Sequence, residues 1–436
     1  MNIISLINKF PVGESAEKGY FLYTKVPPWI LKKTEGENFR KTVRFVGEKS
    51  PFYKRKFSEH KIDANKINCP DDLGDFFTTA EDIRSNPDEF LCTRPDTAYE
   101  STGTTSKKTK RVYFSRHEVR EAGWAGAVGL WGVGLRKEDR VASAFDYSFW
   151  VSGPVLMGSC ETLGCFHVEA GRMDPEEFYD RLSDYRLTVI VGDPSWLLRF
   201  SQIAEKKGAW PGIKLIIGGG ENMTEETRRY IENVWKCDLL LSYGQTEAFG
   251  AIGMESRAKE GYQLNEFHND FEIIDRDKQG YGELVYTTVN RRVMPLLRYK
   301  SGDITRFIEV PSKIGMPGRR IEKLKGRVNE WVATGMGNIA PWMFEPVLGS
   351  VTGISSDWQV VIEKAGHLDR ITLTAEGDSA AEEELRKKIL SQFSEVLPEA
   401  WRNSQKGFFE IGAQIVPKNA LRTGRKLLRI VDKRKF

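Results

Sequence analysis

The sequence predicts an α/β protein with a large amino-terminal domain and a small α+β carboxy-terminal domain. Three observations predict it. Short apolar runs recur between Arg140 and Ser242, amphipathic helix patterns with clear start signals separate them, and beyond about Gly326 the order becomes strand, turn, strand, helix, strand. At 436 residues the chain exceeds what one hydrophobic core usually organises, so two or three compact units are expected.

The first hundred residues read as helical and loop-rich, punctuated by Pro27, Pro28, Pro51, Pro70, Pro87 and Pro95. Ser115-Arg116-His117-Glu118 is a capping box, in which the serine bonds forward and the glutamate bonds back, ahead of a long Ala/Gly/Trp helix. Arg140–Phe145, Thr188–Val191, Lys214–Ile217 and Asp238–Ser242 are four to six residues long and largely apolar, as strands covered on both faces should be. Between them, Asp174-Pro175-Glu176-Glu177 starts one helix with an N-cap, a proline at its first position and acids in its first turn. Thr224-Glu225-Glu226 starts another, with Tyr230, Ile231, Val234 and Trp235 as its apolar stripe. In the carboxy-terminal part, strands over Gln359–Ile362 and Ile371–Ala375 flank the turn Ala365-Gly366-His367, a helix covers Glu382–Val396, and a last strand lies near Phe409–Val416.

Composition removes several function classes. A net charge of +4, from 65 basic and 61 acidic residues, gives no bulk attraction for nucleic acid. Cys69, Cys92, Cys160, Cys165 and Cys237 form no disulfide framework and, with five His, no paired metal-ligand spacing. The opening MNIISLINKFPVGES lacks signal-peptide features, and the uncharged run Tyr147–Cys160 is too short to span a bilayer and is interrupted by Gly153 and Pro154. A cytoplasmic protein with no membrane or nucleic-acid partner is the expectation.

Three segments carry candidate chemistry. In Ser101–Lys110, STGTTSKKTK, four hydroxyl residues surround Gly103 and lead into Lys107, Lys108 and Lys110, a composition suited either to phosphate oxygens or to a solvated loop. It is no Walker loop, and no GxGxxG occurs. Leu241–Ala251, LSYGQTEAFGA, follows a predicted strand, where open α/β sheets bind ligands. Ile216–Asn222, IIGGGEN, is either a tight turn or a backbone against which a flat ring can lie. Asp303, after Gly302, reads as a ribose-diol ligand or a turn residue. The closing RTGRKLLRIVDKRKF reads on composition as a solvated basic tail or an anion-binding one.

In order, these segments resemble the adenylate-forming superfamily (acyl-CoA synthetases, adenylation domains, luciferases), and within it the phenylacetate–CoA ligase-like branch, over nearly the whole chain. Val43–Phe57 and Asp71–Arg84 look like that branch's opening segment. STGTTSK resembles its phosphate loop SSGTTGK, DPSW (Asp193–Trp196) its TPSY, and GGENMT (Gly219–Thr224) its GAEPWT. YGQTE matches YGxTE, LLRYKSGD matches IRYRTGD, GRVNE stands for GRxDD, and GRKLLRIVDKR resembles GKAxRVxDxR, which places Lys426 on the family's catalytic lysine.

The resemblance implies an amino-terminal domain over residues 1–325 that is large and multi-layered, and a small mobile lid over 326–436 carrying Lys426. It implies attack of a carboxylate on the α-phosphorus of ATP, giving acyl-adenylate and pyrophosphate, then displacement of AMP by coenzyme A. Ser101, Thr102, Gly103, Thr104, Thr105 and Lys107 would hold the phosphates. Glu247 would bind Mg²⁺ with Thr246 on the α-phosphate. Gly219, Gly220, Glu221, Tyr243, Gly244 and Gln245 would frame the adenine, Asp303 would take the ribose, and Arg327 would sit at the junction of the domains. Transfer to a carrier-protein thiol or an amine is the alternative; a non-catalytic relative is a second, opposed by the presence of Glu247, Asp303, Arg327 and Lys426. The resemblance leaves room for a homodimer.

Some positions depart from the family pattern. Ser106 and Lys108 replace a Gly and a Pro of the phosphate loop, Asn329-Glu330 replaces the hinge Asp pair, and Ser256 and Gln263 stand where some relatives have metal ligands, so no structural zinc is expected. FDYSFW, Phe145–Trp150, stands where relatives have YGYGLF in the acyl pocket. Phe145, Tyr147 and Trp150 with Gly218 are therefore the expected acid-binding residues, with Asp146 and Ser148 as polar groups and an aromatic acid as the expected substrate.

Overall fold

The computed structural model describes residues 15–101, 109–314, 317–328, 332–366, 368–422 and 427–434. Within it the chain divides into two compact units, residues 1–301 with 305–323, and residues 302–304 with 324–436. None of the helices among the described residues is long and apolar enough to cross a membrane.

The first unit opens with helices Ala16–Thr24, Pro28–Lys49 and Pro51–Glu59. Each proline stands at the first helical position, where its missing N–H is no loss. Strands β1 (Thr97–Ser101) and β2 (Lys110–Phe114) pair antiparallel. The capping box forms as read: the Glu118 N–H donates to Ser115 Oγ at 3.1 Å and the Ser115 N–H to Glu118 Oε2 at 2.6 Å, starting the helix Arg116–Gly132.

Next come β3 (Arg140–Ser143), β4 (Phe166–Glu169), β5 (Val189–Gly192), β6 (Leu215–Gly219), β7 (Asp238–Gln245), β8 (Gly250–Glu255) and β9 (Tyr262–Leu264). After β10 (Asn269–Ile274), β11 (Gly282–Thr288) and β12 (Tyr299–Thr305), the unit ends near β13 (Arg320–Ile321). The eight-stranded sheet has the order β13-β9-β8-β7-β6-β5-β3-β4, parallel from β7 to β4 and antiparallel from β7 to β13. The four apolar runs are β3, β5, β6 and β7, and Val141, Val189, Val191, Leu215, Ile217 and Leu240 share one core with Leu130 and Leu156. The edge strand β4 escapes the pattern because it is half exposed and charged at its end. The uncharged run Tyr147–Cys160 supplies most of the helix Ser152–Leu163. It packs so closely on Arg116–Gly132 that a Cβ on Gly123 would lie 2.9 Å from the backbone of Gly158.

The second unit holds β14 (Gly326–Arg327), the hairpin β15 (Val332–Thr334) and β16 (Gly337–Ile339), and the strands β17 (Ile354–Ala365), β18 (Leu368–Gly377), β19 (Glu410–Val416) and β20 (Ile430–Asp432). Their sheet order is β19-β18-β17-β20. The helix Glu382–Val396 covers it through Leu385, Ile389 and Phe393, against Trp358, Val360, Ile362, Ile371 and Leu373.

The described part of the closing basic segment is no solvated tail. β20 pairs parallel with Val360–Ile362, Arg429 lies 4.4 Å over the Trp358 ring, and Arg434 bonds Asp369 at 3.0 Å. Composition misjudged it because the cations alternate with Leu428, Ile430 and Val431, and only the pairing of β20 shows which face is covered.

Candidate active site

In space β3 has β4 on one side and β5 on the other, so the chain reverses its direction of progress across the sheet there. Crevices that bind ligands open at the carboxyl ends of strands at such a point. Three of the segments singled out from sequence leave those ends: Phe145–Trp150 after β3, Gly220–Glu221 after β6 and Thr246–Glu247 after β7.

Glu247 is the centre of the polar part. It is 2% exposed, yet its Oε1 pairs with the Lys110 ammonium and accepts from the hydroxyls of Tyr299 at 3.1 Å and Ser101 at 3.3 Å. Lys110 Nζ also donates to Tyr299 Oη at 3.1 Å. Burial pushes the Glu247 carboxyl up, but the Lys110 charge and the hydrogen bonds outweigh it and hold the group below the usual carboxylate range. Arg291, itself buried, donates to the Glu247 carbonyl at 3.0 Å and the Tyr113 carbonyl at 2.9 Å, with Phe114 4.3 Å below its guanidinium. The turn carrying Glu247 is thus tied to β2 from both its side chain and its backbone.

The glycines of the site are explained by close approaches. A Cβ on Gly244 would lie 2.2 Å from the Gly250 carbonyl oxygen, across the irregular β7–β8 register, and Gly220 has φ +87° with Asp193 Oδ1 3.0 Å from where its Cβ would stand. A Cβ on Gly219 would approach Ser242 Oγ to 2.6 Å and the Phe145 ring to 3.3 Å. One on Gly218 would meet Leu241 at 2.9 Å. The Glu221 carboxylate accepts the Ser195 N–H at 3.1 Å, at the start of the helix Pro194–Lys207.

A family model described as AMP-binding enzyme matches residues 101–287. A phenylacetate-coenzyme A ligase of Pseudomonas putida is 28% identical over 365 residues, 79% of this chain and 82% of its own. Another, of Thermus thermophilus, is 26% identical over 383 residues, 84% of this chain and 86% of its own. Of solved structures, a 2-hydroxyisobutyryl-CoA ligase in its postadenylation state superposes with a TM-score of 0.78 at 18% identity, over 92% of this chain and 89% of that one, so the fold is shared. Over most of its length the chain is thus similar to phenylacetate-coenzyme A ligases at 25–28% identity, and its central part matches the AMP-binding enzyme family.

The structure positions the remaining expected residues as follows. Gln245 is held by Tyr286, whose hydroxyl donates to its Oε1 at 2.8 Å, and donates in turn to the Ser301 carbonyl at 3.2 Å. Tyr243 is buried with its ring 5.8 Å from Tyr262, and Thr246 is buried beside Glu247. Asp303 and Arg327 belong to the second unit, where they face each other across β12 and β14 and pair at 2.9 Å. Thr102, Gly103, Thr104, Thr105, Ser106, Lys107, Lys108, Asn329, Glu330 and Lys426 lie outside the described residues.

In the loop after β3, Tyr147 Oη shares a hydrogen bond of 3.2 Å with His167 Nε2 of β4, and burial holds that imidazole down at about 4, so the pair is neutral at physiological pH. Asp146 Oδ1 accepts both the N–H and the hydroxyl of Ser148, at 2.7 and 2.5 Å, so these two polar residues shape the loop's own turn. The Glu100 N–H donates to the Phe149 carbonyl at 2.9 Å, tying this loop to β1.

Lys110, Tyr299, Arg291 and His167 are not among the residues to which the resemblance assigns a role. Lys110 and Tyr299 fall inside the segments STGTTSKKTK and LLRYKSGD, and the alternation of β2 turns Lys110 inward with Val112 and Phe114. That inward lysine was the available signal.

Proposed function

We propose that this chain is an AMP-forming acid–thiol ligase, which activates a carboxylate with ATP and passes the acyl group to coenzyme A, and that it takes a ring-bearing carboxylic acid, one carrying a hydroxyl or amino substituent, in preference to a long-chain fatty acid. The observation that carries the reading is the convergence of the aromatic loop Phe145–Trp150 with the Gly219–Glu221 turn at the carboxyl ends of β3 and β6, two strands of the parallel sheet with β5 between them. There the Phe145 ring packs close against Gly219, in space that a larger residue would fill. Aromatic walls favour rings over flexible chains.

The residue roles follow the same reading. Gly219, Gly220, Glu221 and Tyr243 frame the adenine, Asp303 takes the ribose hydroxyls, Thr246 the α-phosphate, and Lys426 neutralises the charge that develops between the carboxylate and the α-phosphorus. Glu247 is the carboxylate for Mg²⁺. Among the described residues no group of three or more His, Cys, Asp or Glu forms a metal cluster. One buried carboxylate beside hydroxyls fits the way Mg²⁺ is held, through one or two carboxylates and the substrate's phosphates. Bound there, the ion would supply positive charge to the triphosphate. The enzyme's own residues keep Glu247 ionised and aimed, through Lys110, Tyr299 and Ser101, before any substrate arrives.

ATP–pyrophosphate exchange over a panel of aryl and saturated fatty acids, with and without coenzyme A, tests the proposal. Exchange driven by aryl acids, and acyl-CoA formed only when coenzyme A is present, are the expected results. A panel in which long-chain saturated acids exceed every aryl acid would overturn the acid assignment.

A further inference from the structure

The carboxylate assigned to the metal already holds a cation. Glu247 Oε1 receives three donors, the Lys110 ammonium and the hydroxyls of Tyr299 and Ser101, while a carboxylate offers about four lone-pair sites over its two oxygens. Both partners of the ion pair are buried, Lys110 being 9% exposed at its side chain, so water screens neither from the other. A divalent ion on that oxygen would stand beside an ammonium in the same dry pocket, and like charges so placed are strongly disfavoured. The ammonium and the metal therefore exclude each other. Lysine is suited to leave, because its charge sits on a flexible four-carbon stem with three rotatable donors, and Tyr299 offers Nζ a second acceptor at 3.1 Å.

We propose that Lys110 is the resident counter-ion of Glu247, surrendering the carboxylate only when a metal-bearing nucleotide enters and its phosphate oxygens can receive the ammonium. This rests on the assignment of Glu247 to Mg²⁺ above. It has two consequences. Divalent metal alone does not bind the ligand-free enzyme at Glu247, because nothing then compensates the displaced ammonium. ATP without metal still binds, since the ammonium has three donors and can meet a phosphate oxygen while it stays on Glu247. Lys110 thereby orders the site for metal and nucleotide together, as a positioning residue.

The test uses Mn²⁺, followed by electron paramagnetic resonance, and ATP, followed by calorimetry, on the full-length protein. In wild type, Mn²⁺ without nucleotide should show no saturable site that depends on Glu247. Lys110→Met should bind Mn²⁺ without nucleotide at least about tenfold more tightly than wild type, and should bind ATP in the presence of a chelator about tenfold more weakly. Lys110→Arg should restore wild-type behaviour on both counts. Equal Mn²⁺ affinity in wild type and Lys110→Met, or unchanged metal-free ATP binding, would reduce the pair to a structural salt bridge and overturn the proposal. Should Lys110→Met fail to fold, the wild-type arm decides alone. Saturable Mn²⁺ binding to nucleotide-free wild type that Glu247→Gln abolishes overturns it, and absence of such binding supports it. If Glu247→Gln leaves Mn²⁺–ATP binding untouched, the assignment of Glu247 to the metal fails, and that failure is distinct from the failure of Lys110 alone.

Discussion

Two buried clusters of charge in the first unit invite comparison. At the candidate active site one carboxylate, Glu247, meets one ammonium, Lys110, and the carboxyl is held below its usual range. Beside β9 and β10, three carboxylates, Glu35, Glu266 and Asp270, surround the single guanidinium of Arg319. There burial, reinforced by Asp270 and Glu266, outweighs Arg319 and pushes the Glu35 carboxyl up to about 10. Tyr23 lies in the same cluster, its hydroxyl donating to the Pro317 carbonyl at 2.9 Å. Both sets remove charge from water and differ in whether each negative charge finds its own cation. Where it does, the acid stays ionised and available to a ligand; where it does not, the acid keeps its proton and joins helix Pro28–Lys49 to the loop before β13 as a hydrogen-bonding group.

The largest expected effect comes from unbalancing the first cluster. Glu247→Ala removes the proposed metal carboxylate, and loss of one such preorganised group typically lowers the rate by about 10²–10³. Pyrophosphate exchange should fall by that factor, and because the Lys110 ammonium is left buried without its partner, chemical denaturation should register a loss of about 3–5 kcal/mol. A variant that melts like wild type would show that Lys110 finds water when Glu247 is gone, and that the pair is less dry than its burial implies.

Restoring the balance without the charges sharpens the point. The double variant Lys110→Met/Glu247→Gln should recover most of that stability, since replacing both members of a buried ion pair is often neutral, yet should stay inactive in exchange. Recovery of activity would detach catalysis from Glu247.

Asp303 is the intermediate case, a carboxylate paired with an arginine that is one-third exposed. Asp303→Ala should weaken ATP and AMP binding together by about 1.5–3 kcal/mol in calorimetry, while the partly exposed pair with Arg327 contributes no more than about 1 kcal/mol to unfolding. A large fall in melting temperature with nucleotide affinity intact would make Asp303 a structural residue.

The smallest effect lies in the acid-rich cluster, and its sign is opposite. Glu35 has a folded value raised above its unfolded one, so between about 4.5 and about 10 the native state holds more protons than the unfolded chain, and this group lowers stability as pH rises through that window. Glu35→Gln, which keeps the hydrogen bonding and cannot ionise, should flatten that decline and raise the melting temperature at pH 8, with little change at pH 5. Parallel melting curves for variant and wild type from pH 5 to pH 8 would show Glu35 to be ionised by Arg319 after all.

Much of the architecture was legible in the residues. The capping box at Ser115, the proline-led helix at Pro175 and the four apolar strands come from local chemistry, in which a hydroxyl, a ring or a run of branched side chains acts within a few positions of itself. The order of the motifs placed Glu247 and the Gly218–Glu221 turn. The antiparallel strands β8 to β13 were not legible, because most of them show neither a continuous apolar run nor a regular alternation, and their pairing is set by neighbours far away in the chain. His167 was equally hidden, on an edge strand whose exposed ends break the pattern.

The sequence by itself determined the resemblance to adenylate-forming enzymes and the positions of the motifs that carry it, because these rest on residue types in fixed order. Only the tertiary structure decided which charges share a pocket. Lys110 ends a run of hydroxyls and lysines that reads as solvated, and Tyr299 and Ser101 lie in separate motifs; folding brings all three onto Glu247 Oε1, where water is excluded. Coulomb energy depends on distance and local dielectric, which the order of residues does not contain, so the same four side chains are unremarkable as sequence and form one charge-balanced site once buried together.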